Sequence, residues 1–186
     1  PVTEQTLCSG GTADFSVAAT GTGLIFQWRK NGVDIGDETS SSLSLENVTT
    51  EDTAEYTVLI TGTSPCEPVL SEKAILTVNQ IVEITEQPVA SQTLCSGSTA
   101  NFSVTATGTG LNYQWKKNGT NISEENEATL TIVDVTPEDS GEYTVEITGK
   151  DPCESKTSSV ASLSVNSPSI APTTLNTSVS EIYNGG

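Results

Sequence analysis

The chain has no histidine and no methionine, and its 186 residues include only seven basic residues, nine aromatics and four cysteines. Without histidine the common nucleophile–base arrangements lack their base, and a cysteine metal site lacks its usual nitrogen partner. Gly-x-Ser-x-Gly, phosphate-loop and dinucleotide fingerprints are also missing, so the sequence points to no enzyme and to no cofactor. No run approaches the roughly 18 apolar residues of a membrane-spanning helix, which argues against direct membrane insertion, and no secretion-signal pattern stands at Pro1. Seven basic residues against 24 acidic ones give a formal charge of −17. That charge divides as −8 over residues 1–78, −8 over 79–166 and −1 over the remainder. Acidity is thus a property of each half, and it argues against nucleic acid and an anionic membrane surface as partners.

What the chain does have is a copy of itself. Cys8, Trp28, Tyr56 and Cys66 return 87 residues later as Cys95, Trp115, Tyr143 and Cys153. The string TLCSG at 6–10 recurs at 93–97, and GTGL at 21–24 recurs at 108–111. Self-similarity at a fixed offset means one module used twice, and function has to be read at the level of the module and of the array. The repeat sets a first domain at 1–78, a second at 79–166, and a remainder at 167–186.

Within each copy apolar residues alternate with polar ones, and no segment keeps helical periodicity. In the first copy the inward residues are Phe15, Val17 and Ala19; Leu24, Phe26 and Trp28; Leu43 and Leu45; Tyr56, Val58 and Ile60; and Ala74, Leu76 and Val78. The second copy repeats the pattern from Phe102 to Val165. Asn31-Gly32 and Asn118-Gly119 mark tight turns, because both residue types tolerate positive φ. Short alternating segments parted by Gly, Asn, Ser and Thr predict an all-β chain of two tandem antiparallel sandwiches.

The order of motifs narrows this further. Gly-x-x-x-Phe-x-Val is followed by Gln-Trp-x-Lys-Asn-Gly, then by Asp52-Thr-Ala-Glu-Tyr56 or Asp139-Ser-Gly-Glu-Tyr143. The succession resembles the immunoglobulin superfamily, intermediate-set type, over nearly all of residues 1–165. The resemblance implies that Trp28 and Trp115 are core tryptophans and that Tyr56 and Tyr143 form tyrosine corners, their hydroxyls bonded to backbone. The positions that usually carry that family's inter-sheet disulfide are valines here, Val17 with Val58 and Val104 with Val145. With its cysteines displaced, the chain is similar to immunoglobulin-like repeats in very large secreted proteins of Bacteroidetes-type bacteria, including gliding-motility and surface adhesins.

Four cysteines placed alike in both copies read as one disulfide per domain, and hence as an oxidising, extracellular or cell-surface location. An intradomain pair can be copied with its domain, so the expected bonds are Cys8–Cys66 and Cys95–Cys153. These segments should nevertheless lie near opposite ends of an ideal sandwich. For the sulfurs to meet, the loop 62–71 or its counterpart 149–158 would have to fold back along the edge.

Between Val78 and Gln87 the connector lacks glycine and proline and alternates like a strand, which predicts a first strand of the second domain within a semi-rigid, elongated array. Residues 167–186 read either as the start of a further module or as a linker tail. The acidic groups Asp34, Asp37, Glu38 and Glu124, Glu125, Glu127 occupy one loop in both copies but match no calcium-loop spacing, so no metal site is assigned. Eight of the nine aromatics are assigned to cores, leaving no exposed hot spot. The reading that remains is a stalk segment of a large adhesin, its partners being neighbouring repeats of the same chain and weak multivalent contacts with a surface, glycan or protein. The alternative is a spacer or accessory region of an extracellular enzyme.

Overall fold

Ala13 and Phe15 are buried while Asp14 and Ser16 are exposed, and the same two-faced alternation at Ala100–Ser103 builds the equivalent strand 87 residues later. The computed structural model describes residues 4–168, and its regular structure is such strands joined by turns, loops and two short 3-10 turns. The reading of 167–186 as further module or tail falls, from residue 169 onward, outside the described residues.

The first sandwich holds β1 (Glu4–Cys8), β2 (Ala13–Ser16), β3 (Ile25–Lys30), β4 (Val33–Asp34), β5 (Ser42–Leu45), β6 (Ala54–Thr61), β7 (Val69–Leu70) and β8 (Ala74–Asn79). One sheet runs β1-β8-β6-β3-β4 with β7 added on β6, and the facing sheet is β2-β5. The connector supplies β9 (Glu83–Glu86) to the second sandwich, followed by β10 (Ser91–Cys95), β11 (Ala100–Ser103), β12 (Thr105–Thr107) and β13 (Asn112–Lys117). It is completed by β14 (Thr120–Asn121), β15 (Thr129–Ile132), β16 (Gly141–Thr148), β17 (Lys156–Thr157) and β18 (Ala161–Asn166). Here β10-β18-β16-β13-β14 repeats the larger sheet, β11 pairs β15, and β9 pairs β12.

The two cores are near-replicas. Trp28 and Trp115 are both fully buried and sit opposite Val58 and Val145 in the strand register. Each indole Nε1 donates to a backbone carbonyl of the acidic loop, Ser40 O or Glu127 O, at 2.9 Å in both cases. Phe15 stacks on Tyr56 and Phe102 on Tyr143, with centroids 5.0 Å apart in each pair. Burial of these large rings supplies the apolar area, while the satisfied indole N–H removes the cost of burying it.

Each tyrosine corner closes on a short 3-10 turn. The Tyr56 hydroxyl donates to Asp52 O at 2.9 Å and that of Tyr143 to Asp139 O at 2.7 Å. The Asp52 carboxylate accepts the Thr49 N–H at 2.9 Å and also faces Lys30, which together hold it below its ordinary range. Asp139 accepts the Thr136 N–H at 2.8 Å and is lowered chiefly by that bond. Desolvation pushes the Tyr143 phenol up to about 12.

Candidate functional site

The cysteines are placed by strand register. Strand β1 lies parallel to β8 and pairs Cys8 with Asn79, the last residue of that strand, so Cys8 sits at the trailing end where the chain leaves the first sandwich. Strand β10 repeats this against β18 and sets Cys95 beside Asn166. Cys66 and Cys153 follow β6 and β16, which run antiparallel to β8 and β18 and carry the chain to the leading end of each sandwich.

The bond that forms is Cys8–Cys153, with a Cα–Cα distance of 5.5 Å, and Cys66 and Cys95 are free and exposed. This corrects the expected pairs Cys8–Cys66 and Cys95–Cys153. The two cysteines of one copy stand at opposite ends of a rigid sandwich, whereas the trailing end of one domain meets the leading end of the next. Sulfurs at opposite ends of the module therefore meet only across a junction.

Backbone and apolar contacts complete that junction. Buried Asn79 donates its side-chain N–H to Asp151 O at 2.9 Å. The Gln80 N–H donates to Thr109 Oγ1 at 2.8 Å, and the Thr109 N–H returns to Gln80 O at 3.2 Å. Val82 is 1% exposed and belongs to the second core, although it lies in the connector. Gly149 makes room for it, since a Cβ there would stand 2.8 Å from Val82 Cγ2, whereas Gly108 is required first by its own turn, at φ +152° and with a Cβ that would meet Leu111 Cδ2 at 2.7 Å. Beyond Val82, β9 pairs antiparallel with β12, and Glu86 accepts the Thr105 hydroxyl at 2.7 Å. A buried anchor, a strand pairing and a disulfide thus fix the connector at three successive points.

The sequence singled out the four cysteines but not Asn79, Thr109, Gly108, Gly149 or Val82. Their signal was faint: Asn79 recurs as Asn166, and Thr109 and both glycines recur as Thr22, Gly21 and Gly62. The acidic loops have a different part. Asp34 pairs with Arg29 at 2.6 Å, and the Glu38 and Glu125 carbonyls accept the backbone N–H groups of the two tryptophans. Among the described residues no group of three or more His, Cys, Asp or Glu side chains is arranged to hold a metal, and no helix is long and apolar enough to cross a membrane.

The architecture is that of two tandem immunoglobulin-like β-sandwiches. A family model for the immunoglobulin domain matches residues 83–148. No curated protein matches the chain in sequence. Among solved structures, an I-band fragment of titin superposes with a TM-score of 0.68 at 23% identity, over 90% of this chain and 64% of that one. The N-terminal four immunoglobulin domains of a Dscam1 isoform give 0.59 at 24%, over 89% and 44%. The insect immune protein hemolin gives 0.63 at 18%, over 88% and 45%. At these identities the likeness is one of fold, and the chain spans about two thirds or less of each of these relatives.

Proposed function

We propose that the chain is a non-catalytic structural and interaction segment, a stalk, of a large bacterial cell-surface or secreted adhesin of the kind found in gliding bacteria. The observation that carries this reading is the junction. A disulfide joins two domains that each have a buried core of their own, so its product is a fixed interdomain geometry. That is useful to a protein that must hold something at a distance and carry load between repeats. The disulfide also fits an oxidising, extracellular setting, and the evenly spread acidity fits solubility of a long array.

Small-angle scattering tests the stalk directly. Two sandwiches of roughly 40 Å set end to end should span about 80 Å, given about 3.4 Å per strand residue and a turn at each end. The profile should loosen when the Cys8–Cys153 bond is reduced. A particle with its domains folded side by side would defeat the stalk reading and favour a composite site between them.

A further inference from the structure

The two copies differ most at their leading ends. In the second domain, Val82 packs in one core with Val104 and Ile147, β9 pairs β12, and Cys153 is bonded to Cys8; Val104, Ile147 and Cys153 are all buried. Their first-domain counterparts Val17, Ile60 and Cys66 are half-buried or exposed, and they line an open groove of about 1090 Å³. Residues 18–20, which correspond to β12, form no strand and pair with none among the described residues. Gly62 corresponds to Gly149, the glycine that makes room for Val82, and it lines this groove. The turn that carries Cys66 is already set: the Thr63 N–H bonds Thr22 O at 3.0 Å and the Cys66 N–H bonds Thr63 O at 3.2 Å. The Lys150 and Cys153 N–H groups make the equivalent bonds to Thr109 O and Lys150 O at 2.8 and 3.1 Å in the stapled domain.

We propose that this groove is a socket for the connector strand of another repeat of the same kind, closed by a disulfide between Cys66 and that repeat's cysteine at the Cys8 position. The occupant is fixed by the junction already present. It must offer an apolar residue in the place of Val82 to fill the space above Val17 and Ile60. It must also offer four extended residues to pair with 18–20, and a cysteine beside an asparagine like Asn79. At the trailing end of the second domain, exposed Cys95 beside Asn166 presents that same cysteine–asparagine pair, but the place of Val82 there is taken by Ser169, so the full plug is the segment 79–87. The staple is then a device that can form wherever two such domains follow one another, as Cys8–Cys153 does here. This inference rests on the repeat geometry and does not depend on the stalk reading.

Closing the bond removes two electrons and two protons from two thiols, and a disulfide oxidant such as glutathione disulfide accepts them. The Cys66 thiolate attacks that disulfide, forming a mixed disulfide and releasing one glutathione thiolate. The neighbouring repeat's cysteine thiolate then attacks the Cys66 sulfur, forming the staple and releasing the second glutathione.

The test is a three-repeat chain: a copy of residues 1–87 placed ahead of Pro1, with Cys66 of the added copy changed to Ser, oxidised with glutathione disulfide and purified as monomer. Non-reducing peptide mapping should recover Cys66 of the original chain linked to Cys8 of the added copy, and alkylation of that Cys66 should fall to background. The two Cys8 peptides differ in mass because only one follows the connector. A second chain carries only a copy of residues 80–87 ahead of Pro1, which supplies the strand without a cysteine. It should slow amide exchange at residues 18–20 and raise the thermal midpoint of the first domain. A monomeric three-repeat chain in which the original Cys66 stays alkylatable would overturn the covalent half of the proposal. Unchanged exchange at residues 18–20 in the second chain would overturn the socket.

Discussion

Cys8→Ser should weaken both domains, including the one that does not contain the substituted residue. If the first domain unfolds alone, residues 8–82 become a loop of about 75 residues whose two ends stay anchored on the folded second domain. If the second unfolds alone, residues 78–153 form a loop of the same length anchored on the first. Closing such a loop costs the unfolded chain about 4 kcal/mol on the chain-entropy relation, so loss of the bond should lower each domain's stability by about that amount. For a domain of this size the thermal midpoint should fall by roughly 15 °C or more. One tryptophan per domain supplies the assay: Trp115→Phe leaves Trp28 to report the first domain, and Trp28→Phe leaves Trp115 to report the second. Urea unfolding of each reporter, with and without Cys8→Ser and under non-reducing conditions, gives the two losses separately. Cys66→Ser and Cys95→Ser should change neither. A Cys8→Ser loss confined to the first domain, or any comparable loss from Cys66→Ser, would refute the reasoning, because either result requires a bond within a domain.

Three further outcomes follow from the packing. Trp28→Ala or Trp115→Ala should cost roughly 3–5 kcal/mol in its own domain through lost burial and a cavity, read from urea midpoints. Gly149→Ala should cost about 1–3 kcal/mol by pressing a methyl group into Val82, whereas Gly62→Ala, whose Cβ would meet nothing closer than 3.6 Å, should be nearly silent in this chain. The Tyr143 phenol is raised from 10.0 to about 12 by desolvation, and a raised pKa contributes stability that is whole below the unfolded value and is lost as pH climbs through the folded one. The second domain should accordingly lose stability between pH 10.0 and about 12, and Tyr143→Phe should flatten that stretch of a pH–midpoint profile.

The sandwich class was legible because its causes are local. Alternation such as Ala13–Ser16 names a half-buried strand, and Trp28 beside Val58 marks the inward face of the larger sheet. The connector was likewise readable as strand, since Glu83–Glu86 carries no breaker. The junction was not, and the obstacle was physical. Strand direction put Cys8 and Cys66 at opposite ends of one module, and a pairing rule that keeps bonds within a copied unit cannot accommodate that. In a tandem array the same fact selects the neighbouring copy. Gly108 and Gly149 illustrate the other limit, because nothing in a glycine's immediate sequence says whether a turn or an approaching Val82 requires it. The acidic loops read as surface charge, yet their carbonyls satisfy the two indoles, a backbone role that side-chain chemistry does not announce.

Sulfur chemistry in this chain links domains and does not close them. Non-reducing proteolysis of the oxidised 186-residue monomer with mass mapping of the linked peptides tests it most directly. The expected result is a single Cys8–Cys153 species, with Cys66 and Cys95 both recovered as alkylated thiols. Recovery of Cys8–Cys66 together with Cys95–Cys153 would contradict it.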